Sequence, residues 1–359
     1  MLYKKRILVT PLNWGLGHAT RCIPIIHELL KQGAEVIIAA DQLPLHLLRT
    51  EFPDLEFVTF PGLEIKYKSN TSLVFNMALQ ANKFYKAFAE EHLVLKKVVE
   101  NYAIDAVISD NRYGAYSDVI PSILITHQVF LSLPIGEIVM EKVIKKYLSK
   151  FDECWIPDFE GAKNLSGLLS HKKSLPKNYH FIGPLSRFAW QGDQKHVIKR
   201  KLMVVLSGPE PNRSDLEEKL FDELQNVDFD VLMVRGSLKE LQIQDYNPHL
   251  KVEPVLTSAQ LYKEMSSSEL ILCRSGYSSI MDLAALGKKA ILIPTKGQTE
   301  QEYLAEKLKE EKVFYAVDEK DLNLQKALQE SKKYSGLQLQ FDNTLLLERL
   351  KKLVDHSKK

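Results

Sequence analysis

Leu270-Ile271-Leu272-Cys273-Arg274-Ser275-Gly276-Tyr277-Ser278-Ser279-Ile280-Met281-Asp282 runs from a short apolar stretch, through a glycine, into residues with helical spacing. Leu270–Cys273 predicts a buried strand, Gly276 punctuates it, and Ser278–Leu286 predicts a helix. The unit then repeats: Ala290–Ile293 predicts a strand that leads into Pro294-Thr295-Lys296-Gly297-Gln298-Thr299-Glu300-Gln301-Glu302. Short apolar strands alternating with helices need cover on both faces, which is the pattern of a parallel, doubly wound α/β sheet.

The same alternation extends upstream. Leu202–Leu206 predicts a strand ending in Ser207-Gly208-Pro209, a helix covers Ser214 to Gln225, and Val231–Arg235 predicts another strand. In the first half, strands are predicted at Ile7–Thr10, Val36–Ala40, Ala106–Ser109, Ile123–Thr126, Glu153–Pro157 and Phe181–Gly183. Helices are predicted over Ala19–Lys31 and from Thr71 to about Tyr102. Around Gly183 to Arg200 the alternation lapses into Gly-Pro, polar and charged residues, including Gln191–Lys195, as a linker would. The expected organisation is residues 1–185 as a first domain, 186–200 as linker, 201–340 as a second domain and 341–359 as a C-terminal helix and tail. Leu345, Leu346, Leu350 and Leu353 mark that helix. Two domains also suit 359 residues, because single cores rarely grow past about 250–300. The fold expected is two doubly wound, Rossmann-like domains facing across a cleft.

Composition narrows the class. Apolar residues make up 45%, charged residues 26%, and formal net charge is only +2, so nothing demands nucleic acid as a partner. Cys22, Cys154 and Cys273 are too widely spaced for a metal site or a disulfide framework, which suits a reducing compartment. Lys4-Lys5-Arg6 is followed by only Ile7–Val9 before Thr10-Pro11, a strand rather than the core of a signal peptide. No run nears the ~18–20 apolar residues of a membrane span. The expectation is a cytoplasmic protein whose slight positive charge allows peripheral contact with the inner face of an anionic membrane.

In such sheets, ligands sit at the carboxyl edge of the strands, where loops enter helices. Asn13-Trp14-Gly15-Leu16-Gly17-His18-Ala19-Thr20 follows the first strand. Gly15 and Gly17 let backbone approach a ligand, and His18 can take a proton from a hydroxyl; the same residues would equally make a tight turn. Gly15, Gly17 and Thr20, with Asp41 after the second strand, also approximate a dinucleotide fingerprint, but Thr20 stands where a third glycine belongs. Ser275, Gly276, Ser278 and Ser279 can surround phosphate oxygens and Asp282 can meet a ribose diol, or else they form a Ser-rich helix start. Thr299-Glu300-Gln301-Glu302 offers donors and acceptors for sugar hydroxyls, or simply an acidic first turn. Ser109-Asp110-Asn111-Arg112 and Thr126-His127-Gln128 can face an acceptor or make ordinary turns. Asp228-Phe229-Asp230 has the D-x-D form of a metal site but directly precedes a strand and reads as a loop, so no metal is expected. Phe75, Met77, Phe84, Tyr85 and Phe88 read as core.

From Cys273 to Ala305 the sequence resembles the donor signature of the bacterial N-acetylglucosaminyltransferases that complete the lipid-linked peptidoglycan precursor, and of related GT-B transferases. The match comprises Arg274-Ser275-Gly276, an acidic residue six places after that glycine, Ala284-Ala285-x-Gly287, then Pro294 and a Gln/Glu-rich loop ending in Leu304-Ala305. Gly15-Leu16-Gly17-His18 is similar to the histidine-ended glycine loop opening that group's first domain. The resemblance implies a donor site made of Ser207, Gly208, Arg274, Ser275, Gly276, Ser278, Asp282, Glu300 and Gln301. Asp282 would bind ribose, Ser207, Gly208, Ser275 and Gly276 would lie near the diphosphate, and Glu300 and Gln301 would meet the sugar. His18 would be the base, with Asp110 and His127 on the acceptor side. Two departures are Asp282 where the group has Glu, and Ser207-Gly208-Pro209-Glu210-Pro211 with less glycine than expected. The implied activity is metal-independent transfer of a hexosyl or N-acetylhexosaminyl group from a nucleotide-diphosphate sugar, UDP-linked by resemblance, in cell-envelope glycan synthesis. The acceptor would be a glycan or lipid-linked, and no cofactor is implied beyond the donor. A nucleotide-sugar epimerase of the same fold needs no acceptor, and a non-catalytic sugar-nucleotide-binding subunit needs no His18; both remain open.

Overall fold

A computed structural model of the protein describes residues 4–62, 81–130, 144–189, 196–239 and 247–355. Thr71–Gln80 of the expected long helix, with Phe75 and Met77, lie outside the described residues, as do the side chain of Phe84, linker residues Gln191–Lys195 and the tail 356–359. The first domain runs β1 (Arg6–Pro11), α1 (Gly17–Lys31), β2 (Glu35–Ala40), α2 (Gln42–Glu51), β3 (Glu56–Thr59), α3 (Ala81–Asn101), β4 (Ala106–Asp110), β5 (Ser122–Ile125), β6 (Glu153–Ile156), α4 (Leu168–His171) and β7 (Tyr179–Phe181). The second runs β8 (Arg200–Val205), α5 (Asn212–Leu224), β9 (Val231–Val234), β10 (Leu250–Glu253), α6 (Ser258–Ser266), β11 (Ser268–Cys273), α7 (Tyr277–Leu286), β12 (Lys289–Leu292), α8 (Thr299–Glu310), β13 (Tyr315–Ala316), α9 (Leu324–Ser331) and α10 (Thr344–Asp355).

Each domain is one sheet, ordered β3-β2-β1-β4-β5-β6-β7 in the first and β10-β9-β8-β11-β12-β13 in the second. The ladders flanking β1 and β8 are parallel. The strand sequences explain the layering. Along β1, Ile7 and Val9 enter one core while Leu8 enters another with Ile37 and Val107, so successive residues are buried on opposite faces. Met203 in β8 faces away from Leu202 and Val204 in the same way.

The two domains share apolar packing. One cluster continues from Ile7 and Ile23 through Tyr277, Ile280 and Met281, so α1 and α7 pack face to face. The same cluster takes in Leu346, Leu350 and Leu353 of α10, which returns to the first domain. Lys5 Nζ donates to the Leu353 carbonyl at 3.4 Å, and Arg349 Nη1 lies 3.2 Å from Glu153 Oε1. Both sheets reverse their strand order at a central strand: the edge between β1 and β4 faces the edge between β8 and β11. Crevices at such reversal points are where open α/β sheets hold ligands.

Candidate active site

The turn after β1 is shaped by Gly15, whose φ of +73° lies in the left-handed region. A Cβ added there would meet the Gly208 backbone at 3.6 Å, and one at Gly17 would lie 3.2 Å from Ser278 Oγ. Ser278 Oγ donates to the Gly17 carbonyl at 2.9 Å, so the glycine loop of one domain is seated against α7 of the other.

Behind this loop lies a buried polar cluster. Asp110, the last residue of β4, is 0% exposed. Its two oxygens accept from Arg21 Nε at 2.6 Å and Arg21 Nη2 at 2.5 Å, while Oδ1 also lies 2.7 Å from His18 Nδ1. His18 and Arg21 are one helical turn apart on α1, which brings both to the same carboxylate. Arg21 Nη1 reaches His127 Nδ1 at 3.1 Å. The second domain closes on the far side of His127: its Nε2 lies 3.0 Å from Glu300 Oε1, and its ring stacks on Tyr277 at 4.1 Å with planes 4° apart.

Charge states follow from this packing. Burial pushes the Asp110 carboxyl up, but Arg21 and then His18 outweigh it and hold it at about 2. Burial lowers His18, against the pull of Asp110, and the neighbouring Arg21 and His127 lower it further. His18 is therefore a neutral imidazole at neutral pH. Burial would raise Glu300, yet His127, Arg21 and His18 together bring it below the ordinary glutamate value, so it is a carboxylate.

A cavity of about 170 Å³ opens at this point. Gly15, Gly17, His18, Arg21, Asn111 and His127 line it from the first domain; Ser207, Gly208, Gly276, Ser278, Glu300 and Gln301 line it from the second. Asn111 has a φ of +57°, and its Oδ1 is buried without a hydrogen-bond partner among the described residues. Such strain beside a cleft is a mark of functional positions. A wider hollow of about 860 Å³ between α8 and β13 mixes carboxylates with lysines.

Three expected donor residues stand behind the wall instead. Arg274 donates from Nη2 to the Asn212 carbonyl at 2.6 Å and pairs with Glu319 at 2.7 Å. Ser275 Oγ donates to the Gln301 carbonyl at 2.8 Å. Asp282 accepts from Ser186 Oγ at 2.7 Å and from Arg187 Nε at 3.1 Å, tying α7 to the segment that follows β7. The Gln301 side chain also holds its own loop, accepting from the Thr295 amide at 2.9 Å. Asp228 and Asp230 lie in the loop before β9, and Asp41 accepts from the Gly62 amide at 2.8 Å. Arg21 was not singled out from sequence, although its spacing from His18 on an amphipathic helix was a usable signal.

Residues 212–355 match the family described as "Glycosyltransferase family 28 C-terminal domain". Over the whole chain, the structure is similar to the "Glycotransferase of kitacinnamycin" at a TM-score of 0.61 and 17% identity, covering 98% of this chain and 94% of that one. It is also similar to MurG from Acinetobacter baumannii at a TM-score of 0.54 and 13% identity, covering 99% and 96%. The fold is GT-B, and its second half is similar to the C-terminal domain of family 28 glycosyltransferases. At the level of sequence, this GT-B chain is 23% identical to the UDP-N-acetylglucosamine--N-acetylmuramyl-(pentapeptide) pyrophosphoryl-undecaprenol N-acetylglucosamine transferase of Actinobacillus pleuropneumoniae serotype 5b (strain L20), over 84% of this chain and 81% of that one. It is equally 23% identical to an uncharacterized glycosyltransferase of Methanosarcina acetivorans, over 85% and 84%. No helix among the described residues of the GT-B fold is long and apolar enough to cross a membrane.

Proposed function

We propose that this protein moves a sugar from a nucleotide-diphosphate sugar to an acceptor hydroxyl, with His18 as the base. Sugar transfer from a nucleotide sugar is the reaction that the GT-B fold and the family 28 domain support. The observation that carries the catalytic assignment is the 2.7 Å contact of His18 Nδ1 with buried Asp110, inside the cavity also lined by Gly276, Ser278 and Glu300. A carboxylate only accepts, so the His18 proton sits on Nδ1 and the Nε2 lone pair is left for substrate.

In the reaction, the acceptor oxygen attacks the anomeric carbon and its proton passes to His18 Nε2. The bond from the anomeric carbon to the diphosphate oxygen breaks, and the nucleoside diphosphate leaves with the electron pair. Backbone amides opening α7 at Gly276 and Tyr277, with the Ser279 hydroxyl, would meet that charge without a metal. Glu300 and Gln301 at the start of α8 would meet the sugar. The relatives' printed activity favours UDP-N-acetylglucosamine as donor and a lipid-linked acceptor, reached from the membrane surface.

The test is incubation of purified protein with a panel of UDP-, dTDP- and GDP-sugars, followed by mass spectrometry and a thermal-shift measurement. One donor is expected to stabilise the protein selectively and to release nucleoside diphosphate faster when acceptor is added, with the rate unchanged by EDTA. An isomeric sugar formed without acceptor would instead identify an epimerase. Donor binding with no turnover under any acceptor, and no effect of His18→Ala, would identify a binding subunit.

A further inference from the structure

Taking its chemical purpose from the transferase reading but its geometry from the cleft alone, we infer that Arg21 is a positioning residue that gives the two cleft histidines opposite tautomers. A guanidinium carries N–H donors and no acceptor. Arg21 is 2% exposed and spends Nε and Nη2 on the two oxygens of Asp110, which fixes the plane of the fork. That plane aims Nη1 at His127 Nδ1, 3.1 Å away. A donor facing a ring nitrogen requires a lone pair there, so the His127 proton is on Nε2, where it faces Glu300 Oε1 at 3.0 Å.

His18 is forced the other way. Its Nδ1 lies 2.7 Å from Asp110 Oδ1, an acceptor, and 2.9 Å from Arg21 Nη2, a donor. Nη2 gives one of its two protons to Asp110 Oδ1 at 2.5 Å, and of the two contacts at Nδ1 the shorter decides: at 2.7 Å from a carboxylate oxygen that can only accept, Nδ1 must carry a proton. The ring proton of His18 is then on Nδ1. One ion pair therefore leaves His18 Nε2 basic and puts the His127 proton on Nε2, the nitrogen 3.0 Å from the Glu300 carboxylate of the opposite domain. Lysine cannot substitute, because a single ammonium cannot address both Asp110 oxygens and His127 in one plane.

The titratable and charged groups that act on His18 are Asp110 from β4, Arg21 from α1, His127 after β5 and Glu300 from α8. Protein labelled with ¹⁵N-histidine, its two signals assigned with His18→Gln and His127→Gln, reports the tautomers directly in long-range ¹H–¹⁵N spectra. The expected result is an Nδ1–H ring at His18 and an Nε2–H ring at His127 near pH 7. In Arg21→Lys, His127 is expected to lose its single tautomer while kcat falls about 10- to 100-fold and donor KM stays within about twofold. Identical tautomers at both rings in the unmodified protein overturn the inference, and that spectrum suffices if Arg21→Lys does not fold. Unchanged tautomers with unchanged kcat in a folded Arg21→Lys overturn it as well. Absence of transfer with every donor would remove the function proposed above and leave the spectral result standing.

Discussion

His18 combines three properties that a base for a hydroxyl needs: a fixed ring, a free Nε2 and a neutral charge state. The first two come from Asp110, and the third from burial, which lowers the imidazole below its ordinary value of 6.5. The sign of the pH dependence follows. A base must be unprotonated to act, so under the proposed reaction kcat/KM is expected to rise with pH on a single acidic limb whose midpoint is below 6.5. Stability shares that direction. The unfolded chain binds a proton at His18 near pH 6.5 before the folded chain does, so this contribution is intact above that value and declines as pH falls through it. His18→Ala is expected to lower kcat by about 10²- to 10⁴-fold and to erase the acidic limb, which steady-state rates between pH 5 and 8 would show. A variant within threefold of the unmodified rate would take His18 out of the chemistry.

At the scale of elements, what could be read from the chain was what repeats. Ile7–Val9, Val36–Ala40 and Leu270–Cys273 are short apolar runs, and the strands β1, β2 and β11 stand where those runs are. Short strands with little apolar signal were not legible, nor was a leucine-bearing helix whose start and first turn break the usual pattern. Strand β10 buries Leu250 and leaves Lys251 exposed, β13 has two residues, and α2 starts at Gln42 with φ of +47° and holds Pro44. The site divides similarly. The glycine loop could be found from sequence because Gly15 takes a φ of +73°, and the Gly276 turn because a glycine separates an apolar run from helical spacing. Pairings such as Arg21 with Asp110, or Asp282 with Arg187, join residues 89 and 95 positions apart and depend on how elements stack. Asp282 tests this difference. Its oxygens hold Ser186 and Arg187, and Asp282→Asn is expected to lower the melting temperature with donor affinity changed less than about threefold. A tenfold loss of affinity at an unchanged melting temperature would instead restore the ribose contact that the resemblance implies.

The whole molecule is two sheets held by one apolar cluster, and this sets how it unfolds and how it opens. Because Leu346, Leu350 and Leu353 of α10 pack into the cluster that also holds Ile7 and Ile280, the domains are expected to melt in a single calorimetric transition. Leu350→Ala removes a 0% exposed side chain at that junction and should destabilise by about 2–5 kcal/mol. Two resolved transitions in the unmodified protein would show that the cluster does not couple the domains. Opening is the counterpart. The cavity of about 170 Å³ is smaller than the ~300–1,000 Å³ typical of ligand pockets, so a nucleotide sugar is expected to enter only after the domains part. Entry through a minor open state makes the observed binding rate level off at the opening rate as donor concentration rises. Tyr303 OH accepts from the Leu168 amide at 2.8 Å across the interface, a tie that Tyr303→Phe removes without touching the cavity. Stopped-flow fluorescence should show that plateau in the unmodified protein and a higher one in Tyr303→Phe. A rate that climbs linearly with donor in both proteins would mean that the cleft stands open in solution.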